Sequence, residues 1–170
     1  MRFLAIAALV FVANCGAAPP DSSPDVTPPP EVSTEGAVVI ETRATVPMDV
    51  PTIRDFLERN PIIAFMEPTD GLAPPVDVIE RILENEPERF SYQIWVFTNS
   101  VGRAVEQIVG VQTFTPVAEG QTDFEWSYAI KPKNRLARFL VNRRQEAFEQ
   151  FLGGATERMA EAAMAEVNGL

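Results

Sequence analysis

The chain has 170 residues, with 24 acidic against 14 basic side chains, no histidine and one cysteine. That length holds one domain with extensions rather than two, and a net charge of −10 lacks the basic footprint of a nucleic-acid binder. Without histidine the usual acid–base group near neutral pH is absent, and no His/Cys cluster or Gly-rich loop offers a zinc or phosphate site, so neither metal nor cofactor is expected.

Arg2 followed by the apolar run Phe3–Ala13 reads as an export signal over residues 1–14. A bilayer span needs about 20 apolar residues, so this run is too short to stay as an anchor. Val12-Ala13-Asn14-Cys15-Gly16 then resembles a lipobox, the motif at which bacterial lipoprotein precursors are acylated on cysteine and cut before it. Asn14 departs from the small residue preferred there, but the sole cysteine falls where the motif needs it. The resemblance implies a lipid on Cys15 and a chain anchored in the cell envelope, at the outer membrane facing the periplasm if the cell is Gram-negative. The other reading is an ordinary secretory signal cut near Ala17 or Ala18, with Cys15 lost. Residues 15–36 form a tether, since 16–35 are proline, serine, threonine and acid with almost nothing to bury. Extended at ~3.1 Å per residue, such a tract reaches roughly 60 Å.

The domain is expected over 37–170. From Ala37 the alternation Val38, Ile40, Thr42 against Val39, Glu41, Arg43 predicts a strand ending at Pro47. Asp49 as N-cap, with Ile53, Phe56 and Leu57 at helical spacing, predicts a short helix ending at Asn60-Pro61. Ile62 to Pro75 is proline- and glycine-rich and reads as irregular. Four strands are predicted next: Val76–Glu84, Arg89–Phe97, Arg103–Pro116 and Thr122–Lys131, with turns at Asn99–Gly102 and Glu119-Gly120. The remainder, Asn134–Asn168, reads as one long helix whose stripe holds Leu136, Phe139, Leu140, Phe148, Phe151, Leu152, Ala155, Met159 and Ala163. Gly153-Gly154 is expected to mark a bend or a close contact.

A strand, a short helix, antiparallel strands and a final long helix make an α+β domain in which a curved antiparallel sheet wraps a C-terminal helix. Phe114 and Pro116, Gly120, Thr122 and Trp126, then Pro132, Leu136, Ala137 and Arg138 carry a resemblance to the START-related, polyketide cyclase-like (SRPBCC) helix-grip superfamily. It is strongest over Arg89–Val141 and weak before. Gln112 departs from it, standing where an apolar residue is usual. The resemblance implies a cavity between sheet and C-terminal helix for a lipid or polyketide-like molecule.

Alternation fixes which residues face that cavity: Phe90, Tyr92, Ile94 and Val96 on one strand, Gln112 and Phe114 beside Ile108 and Gly110 on the next, and Phe124, Trp126, Tyr128 and Ile130 on the last. Phe148, Leu152 and Met159 would come from the helix. These residues form either a filled core or a pocket, and the polar atoms of Tyr92, Gln112, Trp126 and Tyr128 in an apolar set favour a pocket. Asp123, Glu125 and Glu106 fall on polar or uncertain faces, and the acids from Asp77 to Glu88 read as solvated surface. No catalytic nucleophile with a base is found. The expected function is a membrane-anchored binding or carrier module for a small apolar ligand. The alternative is a cyclase or dehydratase-like enzyme using Tyr92, Tyr128 or Gln112 as donors. Lys133, Arg135, Arg138 and Arg143 oppose the helix macrodipole, and are either a solvated face or a contact for anionic headgroups.

Overall fold

The computed structural model describes residues 29–69, 72–74, 78–95 and 104–169. The expected signal, Cys15, most of the tether, Val96 and the turn at 99–102 lie outside them. Five strands form one antiparallel sheet: β1 (Val38–Val46), β2 (Ile79–Glu86), β3 (Arg89–Trp95), β4 (Val105–Ala118) and β5 (Gln121–Pro132), in the order β1-β5-β4-β3-β2. Helix α1 (Val50–Arg59) follows β1, and α2 (Arg135–Arg143) and α3 (Gln145–Val167) end the chain. This is the α+β helix-grip fold.

The strands obey their side-chain period. Phe114 pairs with Phe124, Gln112 with Trp126, Gly110 with Tyr128 and with Tyr92, and Phe90 with Gln112. One register therefore puts the aromatic residues of three strands on the concave face. β2 begins at Ile79, and the expected start at Val76 lies outside the described residues. It is an edge strand, mostly exposed, so pairing with β3 rather than burial sets its limits.

On the convex face, Gln93 and Gln107 are fully buried. Gln93 Nε2 donates to Gln107 Oε1 (2.6 Å) and to the Pro30 carbonyl (3.0 Å), while Gln107 Nε2 donates to the Glu31 carbonyl (2.8 Å). The last part of the Pro-rich tract is thus docked on the sheet instead of free. Asp123 bonds Thr45 (2.5 Å) and pairs with Arg43, and Lys131 faces Glu106 at 3.6 Å. Those carboxylates hold strands together outside the concave face.

The long C-terminal helical pattern is two helices. The chain breaks at Arg144, where φ is −108° and ψ 12°. The break turns the apolar stripe: α2 buries Ala137 and Val141, and Leu136, Phe139 and Leu140 are exposed, not core. Helix α3 continues unbroken through Gly153-Gly154, and a Cβ at Gly154 would lie 3.2 Å from the Arg158 guanidinium. It lies along β1, fastened by the Thr42–Thr156 hydroxyl contact at 2.7 Å, and buries Phe148, Phe151, Leu152, Ala155, Met159 and Ala163.

Helix α1 crosses the other half of the concave face. Asp49 Oδ1 accepts from the Thr52 amide (3.0 Å), which caps its first turn. Val50, Ile53 and Phe56 turn inward. Asn60 and Pro61 stop it, and a 3₁₀ turn (Ile62–Phe65) brings Phe65 against Phe56. Arg59 to Glu166 (2.7 Å) and Arg158 to the Phe65 carbonyl (2.8 Å) tie this segment to α3.

Candidate functional site

The concave face is filled on one side and hollow on the other. Under α3, Phe124, Trp126, Phe148, Leu152 and Met159 pack into a continuous apolar core with Ile40 and Ile130. Under α1 a cavity of about 410 Å³ opens. Its floor is Glu80 and Ile82 of β2, Phe90, Tyr92 and Ile94 of β3, Gln112 and Phe114 of β4, and Tyr128 of β5. Its roof is Arg54, Leu57 and Glu58 of α1, then Pro61, Ile62, Ile63 and Met66. The volume is at the small end of ordinary ligand sites, and the lining is mostly apolar, as theirs is.

Of the expected cavity residues, Phe90, Tyr92, Ile94, Gln112, Phe114 and Tyr128 line it. Five others do not. Phe124, Trp126, Phe148, Leu152 and Met159 are packed side chains, because α3 is close enough to β1 and β5 to leave no gap. The cavity lies between the sheet and the α1–3₁₀ segment, with no α3 residue in its lining. The sequence reading missed that roof and Glu80. Leu57 on the α1 stripe and the apolar pair Ile62-Ile63 after Pro61 were the available signals.

Tyr92 divides the two halves. Its ring lies flat over Gly110: a Cβ there would sit 2.2 Å from the ring's Cζ. Only glycine permits this approach. So placed, the Tyr92 hydroxyl accepts a hydrogen bond from Trp126 Nε1 at 3.0 Å. Trp126 is therefore behind the wall, one hydrogen bond from the cavity.

The polar groups differ in how they are satisfied. Gln112 is 7 % exposed and Tyr128 5 %, yet neither the Gln112 amide nor the Tyr128 hydroxyl hydrogen-bonds another described residue. The Tyr92 hydroxyl accepts from Trp126, and its own proton is unassigned to any acceptor. Burial, reinforced by the neighbouring Tyr128, pushes the Tyr92 phenol well above its ordinary range. Burial, reinforced by Glu80, raises Tyr128 likewise. Both stay neutral donors at physiological pH. At the mouth, the Arg54 guanidinium bonds Asn85 and lies over the Phe90 and Phe114 rings, 5.3 and 5.2 Å from their centroids. Burial lowers its pKa, and Glu58 partly offsets this. Crowding by protein raises the Glu80 carboxyl above its usual value, although the residue as a whole is exposed.

No protein-family model matches the chain, and no curated protein sequence matches it. Solved structures do. A protein from Arthrobacter aurescens, solved in solution, superposes with a TM-score of 0.56 at 14% identity, over 80% of this chain and 90% of its own. The di-domain ARO/CYC protein BexL of the BE-7585A biosynthetic pathway superposes at 0.52 and 14% identity, over 73% of this chain and 46% of that one. At such identities the likeness establishes the helix-grip fold.

The raised Glu80 carboxyl has a testable pH consequence. The folded state holds its proton more firmly than the unfolded chain. Its contribution is therefore fully present below the ordinary glutamate pKa and is lost as pH rises through the raised one. Glu80→Gln removes that loss. Thermal unfolding should show the variant gaining on wild type as pH climbs through the carboxylate range, and a constant difference across that range would contradict it.

Proposed function

We propose that this domain binds or carries a small, largely apolar molecule bearing one or two hydrogen-bonding oxygens, held in the cavity beneath α1. One observation carries the reading: Gln112 and Tyr128 are largely buried residues with no hydrogen-bond partner among the described residues, and both border the same hollow. Their polar atoms open onto the cavity rather than being enclosed by protein, and a few polar groups in an apolar recess are how ligand sites are lined. A ligand carbonyl or hydroxyl would satisfy the amide and accept from the tyrosine hydroxyls, while Leu57, Ile63 and Ile94 cover its carbon skeleton. A polyketide-like or short lipid molecule fits that description.

A second reading, a cyclase-like enzyme, draws on Glu80 and on the ARO/CYC protein among the structural neighbours. A carboxyl with a raised pKa beside neutral tyrosines is the kind of group that exchanges a proton at a carbonyl or enol oxygen. Turnover of a polyketide-like substrate that disappears in Glu80→Gln while binding persists would favour this reading over simple carriage.

The lipobox-like segment supports a further part of the proposal, export and anchoring through Cys15. Intact mass of the mature chain should give an acylated Cys15 as first residue, and an N-terminus downstream of it would remove the anchor.

Gln112→Leu tests the site itself. Because the amide has no protein partner to strand, unfolding should show stability equal to or above wild type. Affinity for an oxygen-bearing apolar ligand, found by screening phenolic, sterol and lipid compounds against tryptophan emission, should fall about tenfold. A stability loss of about 1–3 kcal/mol with unchanged affinity would return Gln112 to the structural core.

A further inference from the structure

Helix α2 has an apolar sector that the protein only half covers. At 3.6 residues per turn, Phe139, Leu136, Leu140, Ala137 and Val141 follow one another around roughly 200° of its circumference. The domain buries Ala137 and Val141. Leu136, Phe139 and Leu140 are 71, 60 and 48 % exposed. Arg135 and Arg138 occupy the opposite flank and Arg143 lies among the exposed apolar residues. None of the three arginines forms an ion pair with a described residue. Arg135 in the first turn opposes the helix dipole, whereas Arg143 in the last turn agrees with it, so helix stability accounts for only one of the two.

We propose that α2 docks the domain on an anionic lipid surface, lying in the interface with Leu136, Phe139 and Leu140 among the acyl chains and Arg135, Arg138 and Arg143 at the headgroup phosphates. Three apolar residues beside cations on one short helix are the signature of an interfacial helix, and long arginine stems reach back to the headgroups while their carbons cover apolar surface. Nine residues span about 14 Å, enough to lie on a bilayer, and no helix among the described residues is long and apolar enough to cross one. Charge sets the orientation. A chain of net charge −10 is repelled by anionic lipid as a whole, and the arginines of α2 without ion-pair partners supply a local attraction against it. A two-fold pairing of copies through α2 would instead set the arginines of one against those of the other. The N-terminal segment passes beside α2, since a Cβ at Gly36 would lie 3.7 Å from Arg138 Nη1. This inference stands independently of the cavity.

The test reads α2 locally, so that binding through the apolar N-terminal run does not obscure it. In the full chain carrying Cys15→Ser, Leu140→Cys is labelled with an environment-sensitive dye. A second protein carries the label at Glu119→Cys, on the hairpin at the other end of the 12-residue β5, roughly 40 Å away. With phosphatidylglycerol–phosphatidylcholine vesicles the label at 140 should shift to the blue and the label at 119 should not. Salt should reverse the shift, pure phosphatidylcholine should give little, and each single replacement of Arg135, Arg138 or Arg143 by Gln should lower the label's partition about fivefold. A label at 140 that stays in water while the chain sediments with the vesicles would overturn the proposal. An equal shift on neutral and anionic vesicles would also overturn it. A blue shift that grows with protein concentration in the absence of lipid would replace it with self-association.

Discussion

A phenol ring lying on a glycine divides the interior of this domain. Tyr92 rests against the bare backbone of Gly110 and reaches the Trp126 indole. On its far side the aromatic residues of β5 and the inward face of α3 close into a solid core. On its near side the sheet continues beneath α1 without enough side chain to fill the space. Any side chain at position 110 would drive the ring off β4 and join the two halves.

The two helical covers differ in what they bring to the sheet. Helix α3 is long and buries seven side chains against β1 and its neighbours, and the Thr42–Thr156 contact holds it close. Helix α1 is ten residues, capped by Asp49 and stopped by Pro61, and it turns only Val50, Ile53 and Phe56 inward. The cavity is the shortfall between a short cover and a wide sheet. Its two tyrosines are donors held neutral by burial, its one guanidinium lies over two aromatic rings, and Glu58 and Glu80 bring carboxyl groups to the lining.

Much of the sheet was legible because strand side chains alternate and the concave positions of β3, β4 and β5 are aromatic or β-branched. The same alternation identified the six residues that face the hollow. Their placement as floor rather than core was not legible, because it depends on how near each helix approaches, and that distance is set by contacts between segments far apart in the chain. Ile62, Ile63 and Met66 belong to the roof only because the chain folds back at Pro61 and the 3₁₀ turn, and no local pattern announced that turn. The break at Arg144 was equally silent. It carries neither proline nor glycine, and Leu136, Phe139 and Leu140 continue the stripe of α3 without interruption on paper, although the break rotates them into solvent. The docking of Pro30 and Glu31 on Gln93 and Gln107 joins a tract with nothing to bury to two glutamines that alternation alone places on an outer face.

The central claim is that the space beneath α1 receives a ligand rather than remaining a packing defect. Mass spectrometry of small molecules released on denaturing the natively purified chain tests this most directly, run beside Ile63→Trp, which fills the hollow from its roof and leaves the sheet untouched. An oxygen-bearing apolar compound released by wild type and missing from a folded Ile63→Trp protein is the expected result. The same compound from both proteins, or none from wild type even after incubation with extract of apolar metabolites, would contradict a binding role for the cavity.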